Sequence, residues 1–250
     1  MHRFPLGAVM HSEEAAFLAA IRAAVETGDQ LPRLVFADWL EDRGDPRSAW
    51  VRDPEVWAFM APDAADPVRQ LISRREWELL RRLGSTAIPS LGRLLTDDSM
   101  ETRRVATEAL KRYGPAVAEE VPALVLAMTD RDVLVRRRAV YAAGELGPTA
   151  VAAVHVLIET LKEYDLWLPE YAAASLGKIG PAAAVAVPAL IEALTNPAFL
   201  VRRNAAAALG KIGPAAKAAV AALRARIQND LEVEVRTAAV TAVERITARK

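Results

Sequence analysis

The 250-residue chain contains no cysteine. That absence removes disulfides, thiolate metal sites, redox motifs and thiol nucleophiles together. Histidine is nearly as scarce. His2, His11 and His155 are too scattered to write an H-x-x-x-H or H-E pair, so neither a histidine-based metal site nor a catalytic triad is expected, and no cofactor is assigned. Net charge is missing as well: 32 Lys and Arg balance 32 Asp and Glu. No overall field holds the chain to nucleic acid or an acidic membrane, and an electrostatic partner must be met by a local patch. The opening MHRFPLGAVM shows no small-residue cleavage pattern and runs into Glu13 and Glu14, so a signal peptide is not expected. Met10 is an alternative start, and residues 1–11 are expected to form a flexible tail. Pro188 and scattered charges interrupt the longest apolar runs before the ~18 residues that a membrane helix needs. A cytoplasmic chain with no membrane partner is the resulting expectation.

What is present is repetition. Gly-Pro recurs at Gly114-Pro115, Gly147-Pro148, Gly180-Pro181 and Gly213-Pro214, a step of 33 residues. Pro89, Pro122, His155 and Pro188 keep the same step, each in or just ahead of an apolar run such as "VPALIEAL". Each unit predicts a helical hairpin. In the first helix Val185, Pro188, Ala189, Leu190, Ile191 and Leu194 follow i, i+3, i+4 spacing up to the polar turn "TNPAF". The second, "VRRNAAAALGKIG", is rich in alanine for close helix packing and stops at a glycine suited to a left-handed cap with proline directly after it. One hairpin cannot bury its apolar face alone, whereas a stack can. The expected fold is all-α: a right-handed α-solenoid of helical hairpins with a 33-residue period and an amino-terminal helical hairpin cap.

A further column has a polar residue six positions before an arginine: Asp97 with Arg103, Asp130 with Arg136, Asn196 with Arg202, Asp230 with Arg236. A turn carboxylate beside the first turn of the second helix accepts hydrogen bonds from an arginine and from free backbone N–H groups, so these residues are expected to form an internal ladder that fixes repeat orientation. An echo lies upstream. Asp63 and Arg69 share the separation, and "DPVRQLISRREWELLRRLG" predicts one helix to Gly84, capped by Asp66 with Pro67 at its first position.

The ankyrin and tetratricopeptide signatures are absent. The stretches "DRDVLVRRRAVYAAGELGPTAVAAV" and "LVRRNAAAALGKIGPAAKAAVAAL" resemble short HEAT-like repeats, including those of the bilin-lyase type, over roughly residues 84 to 250. At the other end, Ser12 starts a predicted helix with Phe17, Leu18, Ile21 and Val25 on one stripe and Gly28 as its stop. A second begins at Pro32 and runs to Gly44, with Leu34, Val35, Trp39 and Leu40 near one side and Arg33, Asp38, Glu41 and Asp42 mostly outside it. Trp39 and Trp50 are expected to anchor this pair. Together "FLAAIRAA" and "LPRLVFADWLEDRGDPRSAWVR" resemble the repeat-companion domain, a short module found ahead of repeat arrays in certain bacterial proteins. No activity is established for that family, so the resemblance implies companionship with repeats and no chemistry. Four segments follow: a tail at 1–11, a repeat-companion hairpin at 12–52, a degenerate first repeat at 53–83 and the HEAT-like array at 84–250.

For function, the carboxylates Asp38, Glu41 and Asp42 lack the third group and pocket that acid–base catalysis needs, and no enzyme is expected. The third repeat breaks the pattern, with Pro169 in the arginine position and Tyr164, Trp167 and Tyr171 close by. These aromatics, with Tyr141 and the column Arg104, Arg137, Glu170 and Arg203, are the candidate surface for a protein or peptide partner. The competing expectation is that Trp167 and Leu168 fill the gap left by the missing arginine. A weaker alternative uses the arginine column as a phosphate track for nucleic acid. The bilin-lyase resemblance implies a third, an accessory protein of that type, although no nucleophile or bilin-holding cysteine is present.

Overall fold

The computed structural model describes residues 12–25, 30–45, 47–53, 67–113 and 119–248. The expectations placed on residues 1–11, Gly28, Asp63, Asp66, Gly114-Pro115 and the Trp50 side chain lie outside the described residues. The chain divides into two compact units, Met1–Ala87 and Ile88–Lys250.

In the first unit the helices are α1 (Ser12–Val25), α2 (Leu31–Glu41), α3 (Arg47–Arg52), α4 (Pro67–Ser73) and α5 (Trp77–Arg82), followed by a 3-10 turn at Gly84–Ala87. Ile21, Phe36, Ala37, Leu40 and Val51 form a small core, with Phe17, Leu18 and Trp39 packed against it. The inward face of α2 keeps Trp39 and Leu40 as its sequence suggests, but not Leu34 and Val35. Arg33 is buried at 6% exposure, while Leu34 and Val35 are exposed. Turning the helix this way brings Phe36 and Leu40 inward at the correct spacing. The Arg33 guanidinium then donates to the Val51 carbonyl and, at 3.0 Å, to Gln30 Oε1. Several other charges of this stretch are paired, some with acids of α1. Arg52 binds both Asp38 and Glu41, and Arg47 joins Asp45 and Glu14, each at 2.7 Å. Arg43 lies 3.9 Å above the Trp39 ring.

The predicted helix up to Gly84 is in fact two. It breaks at Arg75, whose φ of 58° is left-handed. The Glu76 N–H donates to the Leu71 carbonyl and the Arg75 N–H to the Ile72 carbonyl, the paired bonds of a Schellman stop. Gly44 ends α2 in the same way, with bonds from Asp45 to Leu40 and from Gly44 to Glu41.

The second unit stacks its hairpins in order. Its helices are α6 (Ile88–Leu94), α7 (Met100–Lys111), α8 (Val121–Ala127), α9 (Val133–Leu146), α10 (Val154–Thr160), α11 (Leu168–Ile179), α12 (Val187–Ala193), α13 (Phe199–Ile212), α14 (Val220–Asn229) and α15 (Val233–Thr247). The second helices of successive hairpins, α7, α9, α11, α13 and α15, pack side by side. This is the expected α-solenoid. Close approach follows from small residues: a Cβ placed on Gly177 would lie 3.0 Å from the Ala208 Cα, and one on Gly210 would lie 2.8 Å from the Ala242 Cα.

Each Gly-Pro does more than end a helix. Gly147, Gly180 and Gly213 hold φ between 59° and 77°, a region that side chains avoid. Seven-residue 3-10 segments follow at Gly147–Ala153, Gly180–Ala186 and Gly213–Ala219, ahead of the next α-helix. The predicted first helix is consequently shorter and rotated. Ala183, Ala186, Val187, Leu190 and Leu194 are buried, whereas Val185 is 58% exposed.

By length and composition alone, three merged helical stretches are apolar enough to cross a membrane: Val133–Thr160, Leu168–Ala193 and Phe199–Asn229. This corrects the expectation that prolines and charges exclude them all. Geometry separates them from straight spans, because each contains a positive-φ glycine followed by a 3-10 segment.

Candidate functional site

The first turn of α7, α9, α13 and α15 carries the ladder, and its connections differ from those that sequence proximity suggests. Arg103 does not bind the Asp97 carboxylate. Its guanidinium donates to the Asp97 and Asp98 carbonyls at 2.8 and 3.1 Å, and then to the Asp130 carboxylate of the next repeat at 2.6 and 3.1 Å. Arg202 repeats the arrangement, donating to the Asn196 and Pro197 carbonyls and, twice at 2.8 Å, to Asp230. Each arginine thus ties its own turn to the neighbouring one. The polar residue also fixes its own backbone: Asp97, Asp130, Asn196 and Asp230 accept from the N–H two residues on. Arg136 reaches the Asp130 carbonyl at 3.0 Å and Glu163 at 3.3 Å. Glu163 is the third repeat's rung, readable as Asp130 plus 33. Arg236, in the last described repeat, donates to the Asp230 and Leu231 carbonyls at 2.8 and 2.9 Å.

A second ladder runs beside the first. Arg104 forms a two-bond pair with Asp132 at 2.6 and 2.9 Å, and Arg137 a pair with Asp165 at 2.7 and 3.2 Å. Both acids also receive backbone N–H groups at the start of a helix: Val135 on Asp132, Trp167 and Leu168 on Asp165. The arginine hydrogen bond comes first among the causes that hold each carboxyl down to about 2. The sequence contains the signal, since Ser99, Asp132 and Asp165 keep the 33-residue step. This pairing bears on the phosphate-track alternative. Two of the column's three arginines are neutralised within the protein, so no continuous track of free cations exists along it.

At the third repeat the first ladder is interrupted, to resume with Arg202 and Asp230, and the second ladder ends. Pro169 cannot donate, and the residue that would receive an arginine there is the neutral Asn196. Glu170 likewise replaces the second arginine, and Ala198 replaces its acid. Donor and acceptor have been lost together on both rails, which avoids stranding a half-buried charge. A polar tie remains across this joint, from Asn204 Nδ2 to the Glu170 carbonyl at 3.4 Å.

Aromatic rings occupy the same region. Leu168 and Pro169 are buried, while Trp167 remains 40% exposed, so it does not fill the arginine's place. Trp167 stacks on Tyr171 at 6.3 Å, and Tyr171 meets Tyr141 edge-on at 6.3 Å. Lys111 and Lys178 lie 4.3 and 5.0 Å from the Tyr141 ring centroid. Lys178 also pairs with Glu145. Glu145 is the first cause of the raised Tyr141 hydroxyl pKa, through a hydrogen bond between them. Tyr164 stands fully exposed in the turn and takes no part in the stack. Arg203 donates twice to the Asn204 side-chain oxygen, each time at 3.3 Å. Of the candidate residues, the structure brings together Tyr141, Trp167 and Tyr171, leaves Tyr164 apart and assigns Arg104 and Arg137 to the ladder.

This repeating face can be compared with known proteins. A family model described as HEAT repeats matches residues 154–244. The HEAT match lies within the second unit and does not include residues 13 to 52, where the repeat-companion resemblance was drawn. No curated protein matches the sequence. Among solved structures, an engineered protein aligns with a TM-score of 0.59 at 21% identity, covering 94% of this chain and 97% of its own. A HEAT-like repeats protein from the archaeon Thermococcus onnurineus NA1 aligns at 0.58 and 17% identity, covering 75% and 82%. A designed armadillo repeat protein in complex with the peptide (KR)4 aligns at 0.56 and 17%, covering 87% and 98%. At these identities the likeness concerns the fold, a helical repeat solenoid.

Proposed function

We propose that the chain is a non-enzymatic scaffold that holds a protein or peptide partner on the second-helix face of its HEAT array. The observation that carries this reading is the Trp167, Tyr171 and Tyr141 cluster. These rings, Trp167 at the head of α11, Tyr171 within it and Tyr141 on α9, are partly exposed instead of being consumed by the core, and tryptophan and tyrosine supply much contact area for little lost rotamer freedom. The ladders fix the helices that carry them, so little ordering remains to be done when a partner arrives. The peptide complex of the designed armadillo protein agrees in kind, as an analogy of fold. Of the carboxylates weighed for acid–base chemistry, Asp38 and Glu41 are both engaged by Arg52.

The test is affinity capture with cross-linking from native lysate, comparing the wild type with Trp167→Ala and Tyr171→Ala. Each variant is expected to weaken recovery of the captured partner by about tenfold, the scale of an interface anchor of ~1.4 kcal/mol or more, with an unchanged melting curve. Undiminished capture by both variants rules the site out.

A further inference from the structure

We infer that two copies of this chain pair edge to edge about a two-fold axis, along the turns that join first and second helices in the second to fifth repeats. The residues concerned are not those of the binding cluster, so the inference goes beyond the reading above.

Apolar surface is the first argument. Leu134 in the second repeat, Tyr164 and Leu166 in the third, Phe199 in the fourth, and Leu231 and Val233 in the fifth are all exposed in or beside these turns. Leu166 and Phe199 are 33 residues apart and Val233 follows after 34, so the same edge is apolar in three successive repeats. Neighbouring turns are tied together, by Arg136 to Glu163 and by Arg202 to Asp230, while α11 packs beside α13. The side chains therefore form a row. Tyr164 is fully exposed, Leu231 is 91%, Leu166 71% and Val233 60% exposed. Since a large bare side chain offers about 150–250 Å², the six present roughly 750 Å². That exceeds the ~300–600 Å² of the largest apolar patch on a typical monomer and approaches the ~800 Å² that each partner gives to a stable interface.

Charge is the second argument, and it selects the occupant. Within the row Glu163 and Asp165 are taken by Arg136 and Arg137, Asp230 by Arg202, and Lys162 by Glu159. Residues 195–200 contain no charge at all. The ends differ. Arg131 is exposed at the second-repeat end, and Glu232 and Glu234 at the fifth. Among the described residues neither Arg131 nor Glu234 has an ion-pair partner. A two-fold axis reverses one row against the other, so Arg131 of each copy meets Glu234 of the other, and the third repeat meets the fourth. At the axis itself every group faces its own copy, and a charge there meets its like. The joint at that place is the one where Pro169 and Asn196 replace the charged rung. A lipid surface is the less suitable occupant, because two exposed carboxylates stand at the fifth-repeat end and would face an anionic leaflet.

The experiment is sedimentation equilibrium on the full chain over a concentration series reaching about 100 µM. The wild type is expected to pass from 27.1 kDa to twice that mass, with a micromolar Kd. Tyr164→Asp is expected to weaken pairing about tenfold or more with an unchanged melting curve. Arg131→Glu and Glu234→Arg are each expected to weaken self-pairing about tenfold, whereas an equimolar mixture of the two restores it, because both mixed contacts again join opposite charges. A chain that stays monomeric throughout, masses that climb past the dimer, or a mixture no better than its components overturns the inference. So do monomers that sediment with phosphatidylcholine and phosphatidylserine vesicles in a Tyr164-dependent way, which assign the row to lipid. Loss of pairing with Trp167-dependent capture intact removes only the dimer. Pairing with lysate capture indifferent to Trp167 and Tyr171 removes only the binding reading.

Discussion

The gap in the arginine ladder can be refilled, and the consequence measured. Pro169→Arg with Asn196→Asp restores the donor and acceptor found at Arg202 and Asp230, where two bonds of 2.8 Å join a guanidinium to a carboxylate whose side chain is only 1% exposed. Alone, Asn196→Asp introduces a half-buried carboxylate without an arginine and is expected to destabilise by about 1 kcal/mol. Pro169→Arg alone exchanges a buried ring for a guanidinium that still finds turn carbonyls, as Arg202 does at Asn196 and Pro197. Their combination adds a charge-assisted pair in a partly buried setting, a contribution of about 1.5–3 kcal/mol. The coupling energy from the double-mutant cycle is thus expected near 2 kcal/mol in favour of the folded state. For a unit of this size that corresponds to roughly 4–8 °C in Tm relative to the sum of the single changes. Urea unfolding of the four proteins, followed by circular dichroism and fitted with a nearest-neighbour repeat model, measures it. A coupling below about 0.5 kcal/mol would refute the claim that the ladder fixes neighbouring repeats.

Two further tests probe the same frame. Gly210→Ala raises helix propensity by about 1 kcal/mol, yet places a Cβ 2.8 Å from the Ala242 Cα; a net loss of about 1–2 kcal/mol in denaturant titrations is expected, and a gain would contradict the packing argument. Asp132 and Asp165 have carboxyl pKa values held down to about 2, so the folded state binds fewer protons and their contribution is present above about pH 4 and disappears as pH falls towards 2. The Asp132→Asn, Asp165→Asn variant is accordingly expected to melt below the wild type at pH 7 and to converge with it near pH 2; a pH-independent difference would point to packing instead.

How much of this was visible beforehand depended on whether the signal was periodic or spatial. The Gly-Pro step foretold the hairpins, because a left-handed stop must recur wherever a second helix ends. The ladder columns were equally visible, but a 33-residue period cannot say which row faces which. The nearest arginine in sequence to Asp130 is Arg136, whereas the one bound to its carboxylate is Arg103. Asp132 and Asp165 were readable by the same step and were overlooked because Ser99 stands at the head of their column. The 3-10 segments were hidden in "GPAAAVA", whose alanines suit either helix type. On α2 the apolar positions Leu31, Leu34 and Val35 compete with Phe36, Ala37 and Leu40 for the inward side. Only packing decides between them, and it decides in favour of burying Arg33.

Because each rung is shared between adjacent repeats, an intact repeat offers an acid to the repeat before it and an arginine to the repeat after it. Copying or deleting such a repeat whole leaves the rungs matched: without the repeat of Asp130 and Arg136, Arg103 would face Glu163. The joint between α11 and α13 behaves differently, since Pro169 faces Asn196 and Glu170 faces Ala198. Deleting the third repeat would leave Arg136 opposite Asn196, so the order of the repeats is fixed at that joint.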